Sequence, residues 1–228
     1  MAKNILKNTT LGMIVANEEF NCSGGILSTV RNHMPHYERG VIVHTGSKDG
    51  TGNVLKKLQR EFSSLKVVED HDSFKRSLWS GARNVVLEQI KTERVAFFDA
   101  DEAIKEKDYE TLANFVNSND SWGFNFRCIR VLPDGEEIEQ TPPQIQNPRI
   151  FKMTKDPSYG LVELDMTEGL FAKVNRKYVI AQYHKGIFGR KLCALSPVPF
   201  YHFKWYKLGE RTNKPSQLKV HLCRNKYN

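Results

Sequence analysis

The amino-acid sequence predicts an α/β fold in which a mostly parallel sheet, with helices on both faces, is joined to a smaller antiparallel or mixed half. Two observations predict this division. Short apolar runs alternate with stretches of helical spacing over residues 8–118, and this order is typical of a parallel sheet covered on both faces. From residue 119 onwards, prolines and alternating apolar residues replace the alternation and predict the second half.

Within the first half, each element follows from its residue pattern. The apolar runs predicted to be buried strands are residues 11–16, 41–45, 65–69 and 94–98. Apolar residues at three- and four-residue steps predict helices at 20–34, 53–62, 74–90 and 109–116.

The second half is less regular. Residues 122–132 alternate as one strand, residues 133–136 form a turn, and a return strand begins at Glu137. Prolines at 142, 143, 148 and 157 mark a loop-rich region that no periodicity resolves. We expect one domain over residues 1–228, with halves at about 8–118 and 119–205 and a basic C-terminal segment at 206–228.

Composition limits the function classes. The 228 residues contain 39% hydrophobic residues, no run of about 18 apolar residues and no apolar N-terminal stretch, so we expect a cytoplasmic, soluble protein. The four scattered cysteines do not predict a zinc site or a disulfide framework. The formal charge of +8 is concentrated late in the chain, where aromatic residues accompany the basic ones. This segment could bind nucleic acid, anionic lipid at a membrane surface or a diphosphate, or it is a solvated tail.

Polar residues follow three of the predicted strands, at 17–19, 45–51 and 99–102. In an open parallel sheet, ligands bind beyond the carboxyl ends of the strands, so these loops are expected to converge on one site. The loop at 45–51 contains glycines that allow close approach of a ligand, although a simple strand-to-helix turn with a capping residue explains it equally well.

The acidic loop is more specific. FFDADE places Asp99 and Asp101 one residue apart, directly after an apolar strand. Such close carboxylates repel each other unless a hard divalent cation shares them, and Mg²⁺ or Mn²⁺ would leave positions for phosphate oxygens. The alternative is an acidic N-terminus for the following helix.

Four strings in order, MIVANEE, VIVHTGSKDGT, GARN and RVAFFDADE, resemble the family 2 glycosyltransferases, which have the Rossmann-like GT-A fold of nucleotide-diphospho-sugar transferases. The resemblance covers residues 10–102. It implies that Asp99 and Asp101 contact a metal, Mn²⁺ or Mg²⁺, and the diphosphate of the donor, with Asp101 the more direct ligand.

The same resemblance implies which residues border the nucleotide. The base and ribose would lie near Ala16, Asn17, Thr45, Gly46, Ser47 and Asp49. Arg83 would face the base or the diphosphate, where its guanidinium can pair with two phosphate oxygens, unless it is an ordinary helix-surface residue. His44 departs from the family pattern, because many relatives have an acid there, and this leaves the identity of the nucleotide open.

Family members that invert configuration need a general base from the acceptor half. The cluster LVELDMTEGLF contains the candidates Asp165 and Glu168, although acids on an exposed loop are the alternative. The late string PFYHFKW resembles a family element in which a histidine completes the metal site. This assigns His202 as a third metal ligand, against the alternative of a packed core histidine.

The sequence therefore predicts an inverting, metal-dependent glycosyltransferase. Its donor would be a nucleoside diphosphate sugar, with UDP favoured, and its acceptor a glycan, a lipid-linked sugar or a protein. The alternatives are a sugar nucleotidyltransferase, which would need a basic loop where ANEEFN is acidic, and a non-catalytic basic module that binds nucleic acid or sugar. Because a nucleic-acid-binding role leaves FDADE unexplained, no nucleic acid partner is expected.

Overall fold

The computed structural model describes residues 5–20, 25–132, 135–139, 148–153, 160–164, 167–174, 177–181 and 193–203. Side chains are described in these ranges except at 74–80 and 160–181. The predicted basic segment at 206–228 lies outside the described residues. Within the described ranges, no helix combines the length and the apolar character needed to cross a membrane.

The first half contains the predicted alternation of strands and helices. Its elements are β1 (Leu6–Val15), α1 (Ile26–His33), β2 (Tyr37–His44), α2 (Thr51–Glu61), β3 (Leu65–Glu69), α3 (Ser73–Gln89), β4 (Arg94–Phe97), β5 (Glu102–Ala103) and α4 (Tyr109–Ser118). Short 3₁₀ turns precede β2 and α4, at Met34–His36 and Glu106–Asp108.

Short strands make up the second half. They are β6 (Gly123–Asn125), β7 (Cys128–Val131), β8 (Glu137–Glu139), β9 (Ile150–Lys152), β10 (Gly160–Leu164), β11 (Thr167–Val174), β12 (Lys177–Ala181), β13 (Cys193–Leu195) and β14 (Phe200–Phe203).

The main sheet has seven strands in the order β13-β6-β9-β4-β1-β2-β3. All three pairings among β1, β2, β3 and β4 are parallel, with Gly12 of β1 aligned to Val41 of β2 and to Phe97 of β4. The prediction of a parallel sheet is therefore confirmed for the first half. The second half adds β9 antiparallel to both of its neighbours and β13 parallel to β6.

Helices cover both faces of this sheet. One face carries α1, α2 and α4 over a core that includes Leu11 and Met13 of β1. The opposite face carries α3, whose Ala82 and Val86 pack with Ile14 of β1 and with β4. Consecutive residues of β1 thus enter opposite cores, as the pleat of a strand buried on both faces requires.

Two smaller sheets complete the second half. One is an antiparallel sheet in the order β10-β11-β12, and the other has the order β5-β14-β7-β8. The predicted return strand is confirmed, because β8 pairs antiparallel with β7.

The prediction of a single strand over 122–132 is wrong. The segment divides into β6, which belongs to the main sheet, and β7, which belongs to the four-stranded sheet. Between them, the buried ring of Phe126 packs edge-on against Phe98 and Phe200, with ring centroids 6.0 and 6.4 Å away. Buried residues continue to alternate through the crossing, at Phe124, Phe126 and Cys128, so sequence pattern alone does not reveal it.

Several predicted boundaries also shift. β1 begins at Leu6 instead of residue 11, and β2 begins at Tyr37 instead of residue 41. The buried hydroxyl of Thr10 is accommodated within β1 by a hydrogen bond with that of Thr92 at 2.7 Å. α1 begins at Ile26 instead of residue 20, directly after Gly25 with φ of 84°. A Cβ on Gly25 would lie 2.2 Å from the carbonyl oxygen of Glu19, which requires glycine at this position.

A buried polar cluster joins α1 to α4. The ring of His33 stacks on Phe98 at 4.7 Å, and its Nε2 donates to the carbonyl oxygen of Glu102 at 3.0 Å. The hydroxyl of Tyr109 lies 2.6 Å from Nδ1 of His33. Because a carbonyl oxygen only accepts, Nε2 carries the proton and Nδ1 accepts from Tyr109.

Packing at Gly12 can be tested by substitution. A Cβ there would lie 2.9 Å from Val86 and 3.0 Å from Phe97, so we expect Gly12→Ala to lower the free energy of unfolding by about 1–3 kcal/mol. The control is Gly52→Ala in α2, where the added Cβ meets only His44 at 3.5 Å and helix propensity favours alanine by up to about 1 kcal/mol. Urea unfolding measures the free energy of unfolding of both variants. Equal changes in the two variants would contradict the close contact between β1 and α3.

Burial of His33 predicts a pH dependence of stability. Burial lowers the pKa of His33 from 6.5 to about 4, against the opposing hydrogen bond with Glu102. Between these values the unfolded chain binds a proton that the folded chain does not, so stability is lost as the pH falls, by up to about 3 kcal/mol.

We therefore expect the stability advantage of the wild type over His33→Gln to be large at pH 7 and to shrink by about this amount near pH 4. Urea unfolding of both proteins at both pH values measures this advantage. The contribution of His36, whose pKa is also lowered by burial, cancels because both proteins contain it. An advantage that does not change with pH would show that His33 titrates normally.

Candidate active site

A cavity of about 370 Å³ opens at the carboxyl ends of β1 and β4. The lining residues come from the ends of both strands, from α3 and from β14: Ile14, Ala16, Glu18, Arg83, Asp99, Ala100, Asp101 and His202. The position agrees with the rule that open parallel sheets bind ligands beyond their strand ends.

Residues 99–102, called here the acidic turn, form the floor of this site. The amide of Glu102 donates to the carbonyl of Asp99 at 3.0 Å, and the amide of Asp99 donates to the carboxylate of Glu102 at 2.9 Å. The chain then enters β5 directly, and the next helical turn starts only at Glu106. The alternative that these acids cap a helix is therefore wrong.

Each carboxylate of the acidic turn has at least one cationic partner. Asp99 accepts from Arg83 at 2.7 Å and lies 3.9 Å from Arg149, whereas Asp101 lies 3.3 Å from Nε2 of His202. Arg149 also binds Glu102, whose side chain is fully buried, at 2.5 Å. The repulsion expected from the sequence is thus relieved by basic side chains from three other parts of the chain.

Burial and charge shift the pKa values in this cluster. Burial alone would raise the pKa of Asp99, but the charges of Arg83, Arg149 and His202 hold it well below its ordinary value. For Glu102 burial prevails, and with the nearby acids it raises the pKa to about 7 despite Arg149 and His202. Burial opposes the charged form of His202, but hydrogen bonds to Asp101 and Cys128 raise its pKa to about 10.

Two residues of this cluster were not assigned from the sequence. Glu102 reads as one more acid of the FDADE string, and nothing local distinguishes its buried role. Arg149 precedes β9 in the loop-rich region, and it reaches the site only because β9 pairs antiparallel with β4. The one signal in the sequence was an arginine directly before a short apolar run.

Asp101 and His202 offer a carboxylate oxygen and an imidazole nitrogen side by side at the cavity. These donor types suit Mn²⁺, and a cation held by two protein ligands keeps positions for phosphate oxygens and water. β14 sets this pair, because His202 is aligned with Glu102 of β5 and the amide of Phe203 donates to the carbonyl of Asp101 at 2.9 Å. Among the described residues, no group of three His, Cys, Asp or Glu side chains is arranged around one metal position.

The loops after β1 and β2 are tied together beside the cavity. The amide of Asn17 donates to the hydroxyl of Ser47 at 2.9 Å, and the side chain of Asn17 accepts from the amide of Lys48 at 2.8 Å. Asp49 accepts from the amide and hydroxyl of Thr51 at the start of α2, so part of this loop does act as a strand-to-helix turn.

The residues predicted to border the nucleotide therefore share one edge of the sheet. Ala16 lines the cavity, and the amide of Thr45 donates to the carbonyl of Val15, at the end of β1, at 3.0 Å. Gly46 has φ of 98° and packs against His71. Arg83 is mostly buried at the cavity and paired with Asp99, which differs from an ordinary helix-surface position.

His44, the departure from the family pattern, is held on both sides. Its Nδ1 lies 2.7 Å from the carboxylate of Glu69, and its Nε2 lies 2.8 Å from the hydroxyl of Ser47. Since the carboxylate accepts, Nδ1 carries a proton. His44 thus orients Ser47 from within the protein.

One of the two predicted catalytic bases belongs to the small antiparallel sheet. Glu168 is in β11, aligned with Glu163 of β10, and β10 lies against α3. Asp165 falls between these strands and lies outside the described residues. The role of either acid therefore stays a prediction.

Two solved structures are similar to this chain. S. aureus TarS 1-349 in complex with UDP-GlcNAc is 18% identical, with a TM-score of 0.52 over 87% of this chain and 59% of that chain. The mannosyltransferase PcManGT from Pyrobaculum calidifontis, in complex with GDP-Man and Mn²⁺, is 23% identical, with a TM-score of 0.43 over 54% of this chain and 35% of that chain.

This chain therefore spans well under two thirds of the length of these solved structures. The similarity to TarS, which extends over most of the chain, confirms the predicted GT-A fold. No curated protein sequence matches the chain.

A family model described as glycosyl transferase family 2 matches residues 13–177. This range contains the acidic turn, the loops after β1 and β2 and the strands β10 and β11, and it is well over half of the chain. The chain therefore belongs to glycosyl transferase family 2.

Proposed function

We propose that this domain is a metal-dependent, inverting glycosyltransferase that moves a sugar from a UDP-sugar to a glycan, a lipid-linked sugar or a protein. The observation that carries the proposal is the cavity beyond β1 and β4, where the Asp101–His202 pair adjoins the Asp99–Arg83 pair. A cation site and a guanidinium side by side suit the two negative phosphates of a nucleotide sugar.

The donor would lie with its base and ribose against the loops after β1 and β2 and its diphosphate over the acidic turn. Arg83 is suited to bind the phosphate oxygens. Its guanidinium lies at the cavity and can leave Asp99 to pair with a phosphate group. TarS, which shares the fold, is described with UDP-GlcNAc bound, and this supports UDP as the nucleotide.

Asp101 and His202 would hold Mn²⁺ or Mg²⁺. When bound, the cation would supply charge neutralisation for the leaving diphosphate. For His202 to bind a cation, its ring must release the proton that its pairing with Asp101 now favours.

The acceptor half would supply the base. As the acceptor hydroxyl attacks the anomeric carbon, its proton passes to the carboxylate of Asp165 or Glu168. The bond to the nucleoside diphosphate breaks on the opposite face of the sugar, which inverts the configuration. The packing of β10 against α3 supports this arrangement, because α3 also carries Arg83.

Thermal unfolding with ligands tests the donor site. UDP-, GDP- and dTDP-sugars are added with Mn²⁺ or with EDTA, to wild type and to Asp101→Asn and His202→Asn. We expect one nucleotide to stabilise the wild type only with Mn²⁺, by about 2.7 kcal/mol at 100 times its dissociation constant. Either substitution should remove most of this gain.

The control is Asp120→Asn, which removes an exposed carboxylate that pairs with Lys152 away from the cavity. It should keep the full metal-dependent gain. If no nucleotide stabilises the wild type under any condition, the transferase proposal is wrong, and a binding role becomes the explanation of the family fold.

A second test addresses the base. With an acceptor found by screening glycans, lipid-linked sugars and proteins, we expect Asp165→Asn or Glu168→Gln to lower kcat by about 10²–10⁴-fold. The affinity for UDP should not change, because the base does not touch the donor phosphates. Glu163→Gln is the matched control, and NMR of the product should show an anomeric configuration opposite to that of the donor. Similar small effects of all three substitutions would exclude this cluster as the base.

A further inference from the structure

The backbone carbonyl oxygens of the acidic turn are all held by hydrogen bonds. One donor belongs to the turn itself, one is a backbone amide of β14, and two are side chains of α1. The donors to the carbonyls of residues 99, 100, 101 and 102 are, in order, the amide of Glu102 at 3.0 Å, the hydroxyl of Thr29 at 2.7 Å, the amide of Phe203 at 2.9 Å and Nε2 of His33 at 3.0 Å.

The two donors from α1 are polar side chains in a mostly apolar core. Thr29 and His33 are four residues apart, so they lie on the same helical face, and both are buried. Neither lines the cavity. A polar side chain in such a core costs stability unless it is hydrogen-bonded, and here each one is satisfied by a carbonyl of the acidic turn.

The donor role of His33 is fixed by its partner in the turn. Because the carbonyl of Glu102 can only accept, the proton of the neutral ring lies on Nε2, and Nδ1 accepts from the hydroxyl of Tyr109 at 2.6 Å. Burial keeps this ring neutral by lowering its pKa to about 4.

We propose that Thr29 and His33 are positioning residues that hold the acidic turn in the geometry needed to bind a divalent cation with a nucleotide diphosphate. This inference rests on the function proposed above. Because α1 holds the carbonyls on both sides of Asp101, the carboxylate of Asp101 lies beside His202 before any ligand binds. A ligand group that is already held in place loses less freedom on binding, and removing such support weakens metal binding on the order of 10–100-fold.

An ordinary packing role makes a different prediction. If Thr29 and His33 only fill the core, their substitution lowers the stability of the protein without changing its affinity for the cation. Substitutions that keep the approximate shape and remove the donor to the turn separate these two roles. Thr29→Val keeps the volume of the side chain, and His33→Phe keeps a ring that stacks on Phe98 but also removes the acceptor of the Tyr109 hydroxyl.

The chain offers a matched control for the first substitution. Thr10, like Thr29, is 1% exposed, and its hydroxyl bonds to Thr92 at 2.7 Å, away from the acidic turn. Thr10→Val removes the same kind of buried hydroxyl. His33→Gln is the conservative counterpart of His33→Phe, because its amide can still donate to the carbonyl of Glu102.

The experiment measures Mn²⁺ binding in the presence of saturating UDP by isothermal titration calorimetry. Urea unfolding without metal is run in parallel. We expect Thr29→Val and His33→Phe to weaken Mn²⁺ binding by on the order of tenfold, while Thr10→Val leaves it unchanged at a comparable loss of stability. His33→Gln should recover most of the affinity that His33→Phe loses.

The outcomes separate the two proposals. If the wild type itself shows no joint binding of Mn²⁺ and UDP, the proposed function is wrong. If the wild type binds both, but Thr29→Val and His33→Phe bind Mn²⁺ as tightly as Thr10→Val, the positioning role is wrong and these residues serve packing alone.

Discussion

Charge compensation around the acidic turn is the constraint on which much of this structure depends. Three carboxylates within four residues meet at one edge of the sheet, and one of them, Glu102, is completely buried. Such a cluster is tolerated only when cationic partners are close and well oriented. The partners are Arg83, Arg149 and His202, and they come from α3, from the residue before β9 and from β14.

This constraint gives a physical reason for the topology of the second half. β9 runs antiparallel to β4, which places Arg149 at the strand end where the acidic turn begins. β14 enters the four-stranded sheet beside β5, which places His202 opposite Glu102. The parallel half supplies the acids, and the irregular half supplies two of the three bases that neutralise them.

The sequence predicted much of the first half because its signals are local. Apolar runs and helical spacing located β1 to β4 and the helices, and the string FFDADE located the acidic turn. Arg149, Thr29 and His33 could not be assigned in this way, since each meets its partner in the turn across 47 to 71 residues of chain. The division of residues 122–132 between two sheets was missed for a related reason. Alternation indicates which residues of a strand are buried, but it does not indicate to which sheet the strand belongs. The assignment of Asp165 or Glu168 as the base remains a prediction from family resemblance.

The position of His202 on one of the last described strands has a consequence for synthesis on the ribosome. The parallel core and the acidic turn emerge about a hundred residues before β14 does. Until β14 pairs with β5, Asp101 has no imidazole beside it, and the carbonyl of Asp101 lacks the amide of Phe203. A nascent chain therefore carries an under-neutralised acidic edge while these residues are added, and docking of β14 is the event that completes the site.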